Sequence, residues 1–300
     1  MPDAVIRTER LTKFYGRARG IVELDLQVQR GEVFGFLGPN GAGKTTTIRT
    51  LLDFIRPTSG RASVLGRDCR RDSKAIRGRV GYLPGEFTLY ENLTGTQLLR
   101  FLGSLRGGVD WGFVETLAGR LDSDLSRPIG DLSHGNKQKI GLIQAFMHRP
   151  ELLILDEPTI GLDPLMQRKF YELVAEVKAD GRTMFLSSHI LPEVERVCDR
   201  IGIVRDGRLV CVDSVSAIKD KSLRRIEMVF DGPVPRGEFA DLPGVRDLTI
   251  EAGRLRCTVQ GSVDPLLKAA ARFNVTDITS HESNLEEIFL ALYGDDDRAV

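Results

Sequence analysis

The sequence predicts an α/β chain, and three observations carry that prediction. Apolar runs of strand length at residues 32–37, 152–155 and 183–187 alternate with stretches of helical spacing. The first run opens directly into Gly38-Pro39-Asn40-Gly41-Ala42-Gly43-Lys44-Thr45, which fits GxxxxGK[ST] at every fixed position. From Thr94 to about Met147 the apolar spacing becomes helical throughout, an insertion in the alternating pattern. The fold class that follows is a phosphate-loop NTPase core with an antiparallel β subdomain and a helical subdomain, followed by a small α+β C-terminal domain. Residues 1–220 would hold the nucleotide domain with its insertion at about 92–148, residues 221–294 the small domain, and residues 295–300 an acidic tail.

Three hundred residues leave room for two domains and a packed core. Lys plus Arg equals Asp plus Glu, 42 each, so no net field draws the chain toward nucleic acid, and none is expected as a partner. Cys69, Cys198, Cys211 and Cys257 are scattered with no CxxC pair. That pattern indicates neither a zinc site nor a disulfide framework and fits a reducing cytoplasm. Residues 1–7 lack the apolar core of a secretory signal, and no apolar run nears the ~20 residues of a membrane span. If the protein works at a membrane, another chain is expected to supply the spanning part.

In chain order, residues 5–15 read as a strand and residues 21–28 alternate cleanly as a second, with a basic, glycine-bounded turn at 16–20 between them. Tyr15 ends the first strand, where it either packs in the ordinary way or stacks on a purine face. The next strand feeds the phosphate loop, and Thr46 onward can run as a helix. Glycines let successive backbone N–H groups turn toward one point, and the helix start adds partial positive charge there. Lys44 can reach the β- and γ-phosphates, and the Thr45 hydroxyl can ligate Mg²⁺. The loop from Gly38 to Thr45, with Thr46 behind it, is therefore a nucleoside triphosphate site.

Residues 56–60 form a breaker, with short strands at 61–65 and 79–83 beyond it. In the helical insertion Leu98, Leu99, Phe101, Leu102 and Leu105 share one face, continued by Val114, Leu117 and Leu121 after Gly107-Gly108. Ser133 can cap a helix from about Gly135 to His148, and that cap is either only a cap or a second anion site. Leu152 to Leu155 deliver Asp156 and Glu157 to a strand end. There Asp156 can hold the Mg²⁺ shell and Glu157 can act as general base toward the attacking water.

Asp163-Pro164 caps a helix reaching about Ala179. The strand at 183–187 delivers Ser188-His189, and His189 either packs or donates a hydrogen bond to the γ-phosphate. A helix at 191–198, a strand at 200–204 and a hairpin turn at 205–208 follow. From about Lys221, strands at 226–230, 245–251, 254–260 and 275–279 combine with helices at 264–273 and 285–293, and no chemistry is legible there.

Together these motifs resemble the ATP-binding subunits of ABC transporters over about residues 5–215. Leu132-Ser133-His134-Gly135-Asn136 resembles the LSGGQ signature, and it lies shortly before the Asp-Glu strand. Tyr15 matches the aromatic that stacks on adenine, Gly161-Leu162-Asp163 the loop across the dimer interface, and His189 the switch histidine. The resemblance implies ATP and Mg²⁺ as cofactors and a head-to-tail homodimer. In it Ser133 and Gly135 of each copy contact the γ-phosphate bound by the other. It also implies a separately encoded integral-membrane permease, docking the chain on the cytoplasmic face of the membrane. Leu285-Glu286-Glu287-Ile288-Phe289 resembles a motif of ABC-2-type exporters of drugs and antibiotics.

Two departures stand out. His134 and Asn136 replace the usual glycine and glutamine of the signature, while Ser133 and Gly135 remain. In Tyr82-Leu83-Pro84-Gly85-Glu86, Gly85 stands where the family commonly has a Mg²⁺-sensing glutamine, with Glu86 as a possible substitute. The competing expectation is a soluble ABC-type ATPase acting on ribosomes or nucleic acid. A single cassette with no room for a coiled coil between Lys44 and Asp156 weighs against it. A regulator that closes on ATP without turnover is disfavoured by intact Glu157 and His189.

Overall fold

The computed structural model describes residues 4–85, 90–217 and 223–281, which fall into two compact units divided between Val212 and Asp213. In the first unit β1 (Ala4–Tyr15) and β2 (Ala18–Gln29) pair antiparallel. β4 (Ser59–Val64) joins the other side of β1, and the short β5 (Arg67–Asp68) closes the order β2-β1-β4-β5. Leu24, Leu26 and Val28 of β2 point inward while Glu23, Asp25 and Gln27 face solvent, the alternation of a half-buried antiparallel sheet. The turn between β1 and β2 is only Gly16-Arg17, shorter than the expected 16–20, because Ala18 and Arg19 already pair with Tyr15 and Phe14. The expected breaker at 56–60 is likewise shorter, since Ser59 pairs with Thr12 of β1.

The central sheet runs β10-β9-β3-β8-β7-β6. β3 (Val33–Leu37), β7 (Leu152–Asp156) and β8 (Thr183–Ser188) are buried at every residue, which explains why their apolar residues run together instead of alternating with polar ones. β6 (Val80–Leu83) pairs parallel with β7, β7 with β8, β8 with β3, and β3 with β9 (Arg200–Arg205). Register places Leu37 beside Ser188 and Asp156 beside Ser187. Three strand ends remote in sequence thus reach one edge, at the carboxyl ends of the strands where open α/β sheets bind ligands. β10 (Arg208–Ser214) follows Asp206 and Gly207, both at positive φ, as a two-residue hairpin requires.

α1 (Lys44–Leu51) leaves the phosphate loop, and α2 (Ser73–Arg79), absent from the sequence expectation, precedes β6. Only Ile76 of α2 is buried, so no apolar period announces it. The helical insertion contains α3 (Gly95–Ser104), α4 (Trp111–Arg120) and α5 (His134–Phe146). Each has a side-chain cap at its start: a Thr94–Gln97 capping box, Asp110, and Ser133. α6 (Pro164–Ala179) begins at Asp163, which accepts from the Leu165 and Met166 N–H groups with Pro164 at the first helical position. α7 (Leu191–Val197) connects β8 to β9.

The second unit is an antiparallel sheet, β12 (Val245–Glu251), β13 (Arg254–Gln260), β11 (Leu223–Phe230) and β14 (Val275–His281) in spatial order. Short helices at Gly237–Ala240 and Asp264–Ala270 contribute Phe239 and Leu266 to its core beside Phe230, Leu255 and Val259. Glu227 pairs with Arg254 and Arg256 on the solvent side. The expected helix at 285–293, with its Leu285–Phe289 motif, and the acidic tail lie outside the described residues.

Candidate functional site

A cleft of about 460 Å³ lies over the carboxyl edge of the central sheet, with Tyr15, Lys44, Thr45, Asp156, Glu157 and His189 on its walls. Its floor is the phosphate loop. Gly41 and Gly43 take φ of +80° and +104°, and at Gly43 a side chain would also come within 2.7 Å of the Gly20 carbonyl oxygen. Both the backbone conformation and the space therefore demand glycine at that position. Lys44 is 6% exposed and donates to the Gly38 and Pro39 carbonyls at 2.6 and 3.2 Å, so the loop curls around its own lysine. Ala42 is buried, and its carbonyl accepts from the Gly207 N–H.

Asp156 is fully buried, and its two carboxylate oxygens are shared out. The Thr45 hydroxyl donates to Oδ2 at 2.7 Å and the Ser187 hydroxyl to Oδ1 at 2.5 Å. Thr45 and Asp156 thereby present facing oxygens, a donor set that suits a hard cation completed by water and phosphate oxygens. Next in chain, Glu157 adopts φ +51°, an uncommon conformation for a non-glycine residue. Its N–H donates to the Ser187 carbonyl and hydroxyl oxygens at 3.2 and 3.1 Å, which fixes the backbone there. The Glu157 carboxylate sits between two groups, with Lys44 Nζ 3.2 Å from Oε1 and His189 Nδ1 2.9 Å from Oε2. Glu157 is 13% exposed and Lys44 6%, so that contact is largely shielded from water, whereas His189 is 37% exposed.

Tyr15 is 47% exposed at the mouth of the cleft, with Lys13 Nζ 5.2 Å from its ring centre. So exposed a ring does not pack into a core and is available as a stacking platform. Asn40, Gly41, Gly43, Thr46 and His189 also line the cleft, and Gly38 and Pro39 lie beneath it as acceptors for Lys44. Ser133, Gly135 and Asp163 do not line it. The Ser133 hydroxyl caps α5 by accepting from the Asn136 N–H, and Ser133 is otherwise exposed. Asp163 is likewise committed to capping α6.

The start of α5 touches the loop that follows β7. A Cβ on Gly135 would lie 2.4 Å from the Gly161 carbonyl oxygen, and one on Gly161 2.6 Å from His134 Cδ2. Gln138, buried on α5, donates to the Pro158 and Glu157 carbonyls at 3.0 and 3.4 Å. Gly85 also lines the cleft, and a Cβ there would meet the Asp156 carboxylate at 3.3 Å, so a side chain at this position would crowd Asp156. Glu86 lies outside the described residues.

Sequence reasoning missed Ser187, Gln138, Arg19, Arg49 and Ile160, all at or around the cleft. Ser187 had a signal, a polar residue within the apolar strand that delivers His189. Gln138 had a weaker one, a buried amide among Ile140, Leu142 and Ile143.

The ABC transporter family matches residues 21–160. Over 298 residues the chain is 35% identical to the bacitracin transport ATP-binding protein BcrA of Enterococcus faecalis, covering 97% of this chain and 96% of that one. It is 33% identical over 300 residues to a fluoroquinolones export ATP-binding protein of Mycobacterium tuberculosis, covering 97% and 93%. A solved ATP-binding subunit of an ABC transporter matches with a TM-score of 0.65 at 32% identity, covering 72% of this chain and 92% of that one. The fold is shared with a dimeric ATP-binding cassette in a post-hydrolysis state bound to ADP and Pi, at a TM-score of 0.63 and 19% identity over 70% and 98% of the two chains.

Proposed function

The chain belongs to the family of ABC transporter ATP-binding subunits, and from that premise we propose that it couples ATP hydrolysis in this cleft to a separately encoded membrane permease that exports a drug or antibiotic. It is an ATPase. No described helix is long and apolar enough to cross a membrane, so the permease reading puts the spanning part in the partner and this chain on the membrane's cytoplasmic face.

One observation supports the mechanism above the others: the Glu157 carboxylate between Lys44 and His189. An arriving triphosphate offers Lys44 a stronger anion than one carboxylate, so Lys44 turns from Glu157 to the β- and γ-phosphates. Glu157 is then free to accept the proton of the attacking water. His189 donates a ring N–H to the γ-phosphate. Tyr15 stacks on the adenine. Thr45 and Asp156 are the residues that would hold Mg²⁺, which when bound neutralises charge developing on the phosphate oxygens. Gly85 leaves the cleft wall beside the Asp156 carboxylate without a side chain.

Ser133 and Gly135 have no phosphate in their own chain's cleft, and a second copy in head-to-tail arrangement gives them one. Asp163 and the loop before it then lie at the same junction. ATP favours the closed dimer because its γ-phosphate is held by both copies, and hydrolysis removes that preference. Steady-state turnover with Mg²⁺ and in excess chelator tests the cation assignment; activity surviving chelation would overturn it. Purification from gently solubilised membranes should bring down a multi-span protein, whereas recovery with ribosomes would replace the permease reading.

A further inference from the structure

A second cavity, about 620 Å³ in volume, shares no wall residue with the nucleotide cleft. It lies between the end of α1, the segment leading into β4, and the turn after β5. Arg56, Arg61, Arg70 and Arg71 all line it, and all four are exposed.

Elsewhere in this unit Arg79 pairs with Glu151 and Arg120 with Glu176, each through two hydrogen bonds. Among the described residues no carboxylate ion-pairs with any of the four around this cavity. Its walls carry two carboxylates, Asp53 and Asp68. Asp68 is committed to the turn, its Oδ1 accepting from the Arg70 and Arg71 backbone N–H groups at 2.9 Å each. Those bonds, Arg71's first, hold its carboxyl below the usual range.

The cluster also stands on a fixed base. Cys69, between Asp68 and Arg70, is buried and donates its N–H to the Ala62 carbonyl at 3.0 Å. Arg61 lies on β4 in register with Glu9 of β1. Four guanidinium groups and two carboxylates around one cavity leave an excess of positive charge there, which an anion of high charge density would offset. Guanidinium forks match phosphate oxygens two at a time and tolerate partial burial better than an ammonium does. We propose that this cavity is a binding site for a phosphate-bearing anion of two or more charges. Such a group comes from a phospholipid headgroup or from a free polyphosphate.

The test uses the full chain carrying Lys44→Ala, which weakens the nucleotide cleft, and titrates inorganic pyrophosphate by calorimetry. Binding should survive Lys44→Ala and weaken at least roughly tenfold when Arg56, Arg61, Arg70 and Arg71 are all changed to Gln. Affinity lost with Lys44→Ala, or unmoved by the four changes, would overturn the proposal. Arg70→Gln with Arg71→Gln gives a milder variant, and unchanged Mg-ATP turnover in the otherwise native chain certifies its fold. Sedimentation with cardiolipin vesicles but not phosphatidylcholine vesicles, abolished by the same changes, identifies the headgroup as the source. Pyrophosphate binding without sedimentation identifies the free anion, and neither response overturns the site.

Discussion

Two helix starts in the nucleotide unit, those of α1 and α5, are built from similar small residues and used in opposite ways. At α1 the loop from Gly38 to Gly43 wraps the lysine, and the threonine that follows meets a buried carboxylate. The lysine ammonium, the threonine hydroxyl and the buried carboxylate all have partners, and all three line one cleft. At α5 the Ser133 hydroxyl is turned back on the Asn136 N–H, and Ser133 and His134 are exposed. The first start is complete within one chain, whereas the second has an open face and no ligand of its own. On the proposed head-to-tail reading, the α1 start binds nucleotide alone and the α5 start contributes only when a second copy brings it one.

The largest expected effect lies on the complete side. Glu157→Gln should lower hydrolysis by roughly 10²–10⁴-fold while ATP affinity holds, since it removes the base and leaves Lys44 in place. Undiminished turnover would show that the base is elsewhere. Next is the open side. Ser133→Arg should cut turnover by roughly 10²-fold with nucleotide affinity of the isolated chain unchanged. A matching loss of affinity would mean that α5 serves its own chain's cleft, and the contrast between the two helices would fail. Tyr15→Ala should weaken ATP binding by about twofold to tenfold and GTP binding similarly, because a ring face reads stacking rather than base edges.

The smallest effect separates the two ends of α5. Just beyond it, burial pushes the His148 imidazole down from its ordinary 6.5 to about 4, with Arg106 adding to the depression. The folded state therefore binds fewer protons than the unfolded one between these values, and stability falls as pH drops from about 6.5 toward about 4. His148→Gln should flatten that decline in urea midpoints at pH 7 and pH 4.5. Its turnover at neutral pH should remain, which a role shared with the open end of the helix would not allow.

Much of the site was legible because its pieces are contiguous. The phosphate loop needs glycines at fixed offsets, and the Asp156-Glu157 pair follows an unmistakably buried strand. Caps at Ser133 and Asp163 were readable for the same reason, as each acts within three residues of itself. Ser187 and Gln138 were not legible in their roles, because their partners come from sheet order and from helix packing rather than from neighbours in sequence. Nothing local says that β8 lies between β3 and β7. α2 and β5 escaped because a short, charged stretch with a single buried apolar residue carries no period to detect.

The contact between Gly135 and Gly161 has a mechanical side. A joint formed by two backbones has no side chain to bend, so it has little compliance, and displacement at one part is delivered to the other instead of being absorbed. Gln138 extends the joint to the carbonyls of Glu157 and Pro158. Whatever pushes on the start of α5 therefore also moves the backbone that carries Glu157. It follows that any side chain at position 135 would wedge the joint apart, while the His134 ring lies against its Gly161 side.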